Sequence, residues 1–309
     1  MIARAIVCTK CPDALPHRVL FGTIAPSARA PAPLIYHQRD FLFSMNPPTL
    51  IKIENVSKHY GPARDGVLAL RDVSLEIRAG EFISIIGPSG CGKSTLLKMI
   101  GDLLAPSTGR ITIDGKSPGA ARRARECAIV FQSPTLMEWR TIAHNIQLPL
   151  EIIGAPTTER KRRADELLDL IRMREFATRY PNELSAGMQM QVSIARALAY
   201  RPTILLMDEP FGALDEITRE RLGNELLELW SRTPVTIVFV THSVAEAVRL
   251  SDRVAVMSQR PGTIEQVIAI DLPRPRPAEL RELPRYWELL RQVRAALRLS
   301  GNGNGQKSL

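Results

Sequence analysis

Apolar and polar positions alternate with period two from residue 49 onward. Ile51 and Ile53 alternate with Lys52 and Glu54, and "VLALRDVSLEI" places Val73, Leu75 and Ile77 on one face. This is the pattern of half-buried strands. "EFISIIG" is a short apolar strand ending at Gly87, and "CAIVFQ" (127–132), "ILLMDE" (204–209), "TIVFVTH" (236–242) and "RVAVMS" (253–258) are further buried-strand candidates. Between them the period lengthens to that of helices, as in "TERKRRADELLDLIRM" and "TRERLGNELLELWSR". Apolar strands alternating with helices predict an α/β fold with a mainly parallel core sheet. "LSAGMQMQVSIARAL" (184–198) reads as a helix after Gly187, with Val192, Ile194, Ala195 and Leu198 as its apolar positions. Its small-residue opening, Ser185-Ala186-Gly187, leaves backbone N–H groups without partners, which favours an anion.

The two ends lack this order. Residues 1–44 mix Pro, Ala, Arg and Ser without a period, and are expected to be a disordered extension. Met45 stands directly before the first strand pattern and is an alternative start. Residues 45–270 are expected to form the main domain, and 271–309 a C-terminal basic helix with a mobile tail, "GNGNGQKSL". In "PRYWELLRQVRAALRL" (284–299), Leu289, Leu290, Val293 and Leu297 follow helical spacing. Packing on its own domain is the first reading of this helix, and contact with a membrane surface the second.

With 309 residues, 45% of them hydrophobic, the chain can bury a sizeable core. The net charge of +9 would fit nucleic acid if it were spread over a face, but the two ends carry +3 and +4 of it. The middle is nearly balanced, so no nucleic-acid partner is expected. No run of eighteen apolar residues occurs, so the chain is not expected to span a membrane itself. Four cysteines do not make a disulfide scaffold in a chain of this length, and Cys8 and Cys11 form a lone CxxC without a second ligand pair.

The chemistry is concentrated in a few stretches. Gly87, Pro88, Ser89, Gly90, Cys91, Gly92, Lys93 and Ser94 match G-x-x-x-x-G-K-[ST], after a strand and before the helical pattern that Thr95 opens. Glycines let the backbone N–H groups wrap phosphates, Lys93 is expected at the β- and γ-phosphates, and the Ser94 hydroxyl at Mg²⁺. Asp208 and Glu209 end an apolar strand; Asp208 fits the Mg²⁺ role and Glu209 that of polarising an attacking water. Gln132 and His242 end two further strands, and in such sheets ligands bind at the carboxyl ends. Tyr60 precedes a Gly-Pro turn and is a candidate for stacking on adenine, or simply a surface aromatic. Cys91 has two open readings. At a helix start its thiol would be acidified and reactive; buried, it would be inert.

Together these residues give a resemblance. Tyr60, "GPSGCGKST", Gln132, "LSAGMQMQ", "ILLMDEP", the "ALD" at 213–215 and His242 occur in the order found in ATP-binding subunits of ABC transporters, over roughly residues 49–270. "FQSPTLMEWRTIAHNIQLPLEI" and "SDRVAVMSQRPGTI" are similar to importers of the nitrate, sulfonate and taurine group. The resemblance implies a P-loop ATPase with an antiparallel β-subdomain and a helical subdomain at about 133–200. It implies ATP and Mg²⁺, with Glu209, His242 and Gln132 in catalysis and Ser94, Gln132 and Asp208 at the metal. Tyr60, the loop from Gly87 to Thr95, Ser185, Ala186, Gly187 and Asp215 would contact the nucleotide.

It further implies a head-to-tail homodimer, in which Lys93 of one copy and Ser185 of the other hold the same ATP. Each chain would thus carry two half-sites. The partners would be membrane permease subunits, met at a groove including Trp139 and Arg140, and indirectly a solute-binding protein. The place would be the cytoplasmic face of the inner membrane. An exporter subunit, or an ABC ATPase outside transport, is the alternative. Ala186, Met190 and Gln191 stand where Gly, Gln and Arg are usual, so the sequence leaves open whether residue 186 has the helical backbone that alanine accepts readily.

Overall fold

The structure is a computed structural model that describes residues 47–61 and 66–302. The disordered extension expected for 1–44, Met45 and the Cys8/Cys11 pair lie outside the described residues.

Two sheets organise the chain. The first is antiparallel, in the order β2-β1-β4, from β1 (Thr49–Tyr60), β2 (Val67–Arg78) and β4 (Thr108–Ile113). The alternation read from the sequence holds here: Val73, Leu75 and Ile77 are buried while Ser74 and Glu76 between them are exposed. The second sheet has six strands in the order β5-β6-β7-β3-β8-β9. These are β3 (Phe82–Ile86), β5 (Cys127–Val130), β6 (Ile204–Asp208), β7 (Thr236–Thr241), β8 (Arg253–Met257) and β9 (Ile264–Ala269). All its pairings are parallel except β8–β9. The expected α/β architecture, a mainly parallel core sheet with a separate antiparallel sheet, is therefore present.

Both faces of the core sheet are covered, which explains why its central strands β3, β6 and β7 are buried along nearly their whole length rather than at alternate positions. One cluster joins the antiparallel sheet, α1 (Lys93–Ile100) and residues such as Ile83, Ile85, Val238 and Val240. A second joins Phe82, Leu205, Ile237 and Phe239 to α3 (Ile142–Ile152), α4 (Thr157–Leu170), α5 (Ala186–Ala197) and α6 (Glu216–Arg232). The short helix α2 (Pro118–Arg123) follows β4. Residues 133–200 between β5 and β6 contain helices and turns and no strand.

The third cluster settles the C-terminal helix. Leu289, Leu290 and Val293 of α8 (Pro284–Asn302) are buried against α7 (Val244–Leu250), β8 and β9. The helix packs on its own domain, which was the first of the two readings. It also runs to Asn302, so the first two residues of the expected tail, Gly301 and Asn302, are helical; 303–309 lie outside the described residues. Among the described residues no helix is long and apolar enough to cross a membrane.

Several boundaries differ from the sequence reading. The strands containing Gln132, Glu209 and His242 stop at Val130, Asp208 and Thr241, so these three residues lie just past the strand ends. At Glu209 the reason is the backbone: φ is +47°, a left-handed value no strand can continue through.

Candidate functional site

The loop between β3 and α1 is shaped by its glycines. Gly92 caps α1 with φ +109°, and a Cβ there would lie 2.5 Å from the Leu70 side chain, so only glycine fits. The loop and its surroundings line a cleft of about 400 Å³ with Tyr60, Val67, Ala69, Ser89, Gly90, Gly92, Lys93, Ser94, Thr95, Glu209 and Arg260. Tyr60 is 43% exposed, and its hydroxyl lies 3.3 Å from the Thr95 hydroxyl, so the ring stands at the cleft wall.

Lys93 is buried at 5% exposure, with Nζ donating to the carbonyls of Gly87 (3.0 Å) and Pro88 (3.1 Å). Its ammonium also lies 4.0 Å from Glu209 Oε1. The other carboxylate oxygen of Glu209 is 3.2 Å from His242 Nδ1. Glu209 thus spans from the loop lysine to His242. Its left-handed backbone is held by its own N–H, which donates to the Val240 carbonyl at 3.0 Å. A non-glycine residue in this region carries roughly 1–3 kcal/mol of strain, and such strain clusters where a side chain must be aimed. The Ser94 hydroxyl donates to Asp208 Oδ1 at 2.7 Å. Gln132 is close to this group: a side chain built at Gly212 would meet Gln132 Nε2 and the Glu209 carbonyl, each at 3.3 Å.

Hydroxyl, carboxylate and amide oxygens at Ser94, Asp208 and Gln132 are hard donors of the type Mg²⁺ takes. Mg²⁺ is commonly held by one or two protein groups with the rest of its shell from water and phosphate. Among the described residues no group of three or more His, Cys, Asp and Glu suited to a metal occurs.

Ser185, Ala186, Gly187 and Asp215 are not brought to this cleft. Ser185 and Ala186 are exposed at the start of α5, where the Ser185 oxygen accepts from Met188 N–H at 3.3 Å and keeps its own proton free to donate. Ala186 is the first helical residue, so it sits on backbone alanine favours. Gln191 is buried and donates to Glu225 at 2.5 Å, which gives the uncommon residue there a partner. Asp215 is exposed and caps α6, accepting from Thr218 N–H at 2.9 Å; that bond holds its carboxyl below the usual range.

Cys91 departs from the acidified reading. It precedes α1 rather than opening it, is 1% exposed, and burial pushes its thiol up against the lowering effect of Lys93. It is the inert alternative. Arg260, in contrast, was not singled out from the sequence, yet it lines the cleft and donates to the Gly90 carbonyl from Nε (3.3 Å) and Nη2 (3.2 Å). The contact joins residues 170 positions apart, and the only sequence signal was the Arg-Pro-Gly turn of 260–262.

Comparison with known proteins agrees with this geometry. A family described as "ABC transporter" matches residues 70–212. An uncharacterized ABC transporter ATP-binding protein of Methanocaldococcus jannaschii is 47% identical over 229 residues, 73% of this chain and 84% of that protein. A taurine import ATP-binding protein of Rhizobium johnstonii is 43% identical over 259 residues, 80% of this chain and 96% of that protein. Among solved structures, a dimeric, post-hydrolysis ATP-binding cassette bound to ADP and Pi aligns with a TM-score of 0.63 and 37% identity. It covers 72% of this chain and 99% of that one. The chain belongs to the ABC transporter ATP-binding family, and is an ATP hydrolase of that kind.

Proposed function

We propose that this chain is the ATP-hydrolysing subunit of a solute importer, working as a head-to-tail dimer beneath a separate membrane permease on the cytoplasmic side. One observation carries the catalytic part: the Glu209 carboxylate stands between Lys93 and His242, beside the Ser94–Asp208 pair. In the proposed reaction the loop N–H groups and Lys93 hold the β- and γ-phosphates, and Ser94, Asp208 and Gln132 would hold Mg²⁺, which would supply charge neutralisation at the phosphates. Glu209 accepts hydrogen-bonded water and orients it in line with the γ-phosphate. His242, bonded to Glu209, fixes that carboxylate and faces the same phosphate. Tyr60 stacks on the base.

The exposed helix start at Ser185 and Ala186 is the second half-site. It has free N–H groups and a free hydroxyl proton, and it does not line the cleft of its own chain. In the dimer it would close on the ATP of the other copy. That reading is supported by the dimeric cassette the chain resembles. Trp139, 75% exposed, and Arg140, paired with Glu151 at 2.6 Å, are proposed to face the permease. The taurine-import relative supports import of a small sulfonate-like anion, which a solute-binding protein would deliver.

The test is ATP hydrolysis in vesicles carrying this chain with its genomically neighbouring permease and binding protein. Stimulation by taurine, another sulfonate or nitrate supports import. Solute accumulation against the binding-protein side, or no dependence on a binding protein, contradicts it.

A further inference from the structure

We propose that Arg260 is a positioning residue of the nucleotide cleft, holding the Gly90 carbonyl on the outer side of the phosphate loop so that the loop keeps its phosphate-accepting shape. This rests on reading residues 87–94 as that loop.

Two cations hold the loop's carbonyls. Lys93 takes those of Gly87 and Pro88 from inside, and Arg260 takes that of Gly90 with two guanidinium N–H groups. The two bonds differ in what a nucleotide does to them. A phosphate that engages Lys93 competes directly with the Gly87 and Pro88 carbonyls. Gly90 has φ +72°, and no L-residue side chain restricts it, so its peptide is free to turn unless tethered. The N–H end of that peptide, on Cys91, donates to the Pro88 carbonyl at 3.3 Å, an oxygen Lys93 also holds; the Arg260 tether restrains the carbonyl end and does not depend on Lys93.

Arg260 can do this because its own turn is fixed. Gly262 N–H donates to the Ala69 carbonyl (2.9 Å), and Arg71 N–H donates to the Gly262 carbonyl (3.0 Å), so the turn is stitched to β2. A Cβ at Gly262 would fall 2.0 Å from the Cys91 carbonyl; this turn lies directly against the loop and only glycine permits it. Ser258 and Thr263 close the turn through their hydroxyls at 2.9 Å. Gln259 N–H reaches the Ser300 carbonyl of α8 at 3.4 Å, which seats the turn against the C-terminal helix as well. Arg260 itself is exposed, so its substitution removes the tether and a cleft-lining cation without opening the core.

The experiment is calorimetric titration of MgADP into the full chain, with the melting temperature of the nucleotide-free protein recorded beside it. Arg260→Ala is expected to weaken MgADP binding about tenfold, with the nucleotide-free melting temperature unchanged. Arg260→Lys, which keeps the charge and one donor in place of a two-donor fork, is expected to recover part of that loss. Lys93→Ala serves as the control for the loop. Wild-type affinity in Arg260→Ala with binding lost in Lys93→Ala would overturn the role of Arg260 and leave the cleft's assignment standing. Wild-type affinity in both would overturn the assignment of the cleft. A drop in nucleotide-free melting temperature that accounts for the weaker binding would reduce Arg260 to a structural brace and likewise overturn the proposal.

Discussion

The Ser94 hydroxyl donates to Asp208 Oδ1 at 2.7 Å, tying the start of α1 to the end of β6 across 114 positions of sequence. Two hard oxygen donors, of which Ser94 lines the phosphate cleft, are thereby held side by side. A pre-formed pair of this kind favours Mg²⁺ with nucleotide over nucleotide alone.

Asp208→Asn removes the negative charge and leaves an amide able to stay in contact with Ser94. We expect the preference for MgATP over metal-free ATP to fall by about tenfold, close to 1.4 kcal/mol. Metal-free ATP binding should change little. Titration with and without EDTA checks this; an unchanged Mg²⁺ preference removes Asp208 from the metal.

Cys91 should resist thiol reagents in the folded chain. Its burial raises the thiol pKa, so the thiolate fraction at neutral pH is below that of an ordinary cysteine, and access is closed. Peptide mapping after maleimide treatment should find Cys91 unmodified at pH 7 and modified once the protein is unfolded. Stoichiometric labelling of the native protein would contradict the buried assignment.

Residue 186 is helical, so Ala186→Gly removes a methyl and loosens the first turn of α5 by about 1 kcal/mol or less. Steady-state ATPase rates should change by a few-fold at most. A rise of a hundredfold would mean that the alanine cripples this half-site.

The C-terminal helix is part of the core. Leu289 is fully buried, and Leu289→Ala should destabilise the chain by about 2–5 kcal/mol in urea unfolding. Anionic vesicles should not restore that loss. Near-neutral stability of the variant would mean that α8 is not seated as described.

The strands, the phosphate loop and the Asp208-Glu209 pair were legible in sequence because each is a local pattern: an apolar run, a glycine spacing, a pair of acids after a strand. The α8 packing was legible from its apolar spacing. What could not be read depended on distant partners. Glu209 leaves the strand because its backbone turns left-handed while its N–H stays bonded to Val240, on the neighbouring β7, and its carboxylate then meets both His242 and Lys93. Burial of Cys91 depends on the packing around the loop, where the Arg-Pro-Gly turn comes in from the far end of the chain. Arg260 owes its place to the same turn, whose only trace in sequence was an unremarked arginine before Pro-Gly.

In the proposed function each chain carries two half-sites that close on ATP only between two copies. Size-exclusion chromatography of Glu209→Gln with MgATP tests it most directly. Removing the water-orienting carboxylate should leave binding intact and stall hydrolysis, so the account predicts a dimer that forms with MgATP and disappears without it. Adding Ser185→Arg should abolish that dimer while single-chain nucleotide binding persists. A Glu209→Gln protein that stays monomeric while saturated with MgATP, or turns over at the wild-type rate, would contradict the account.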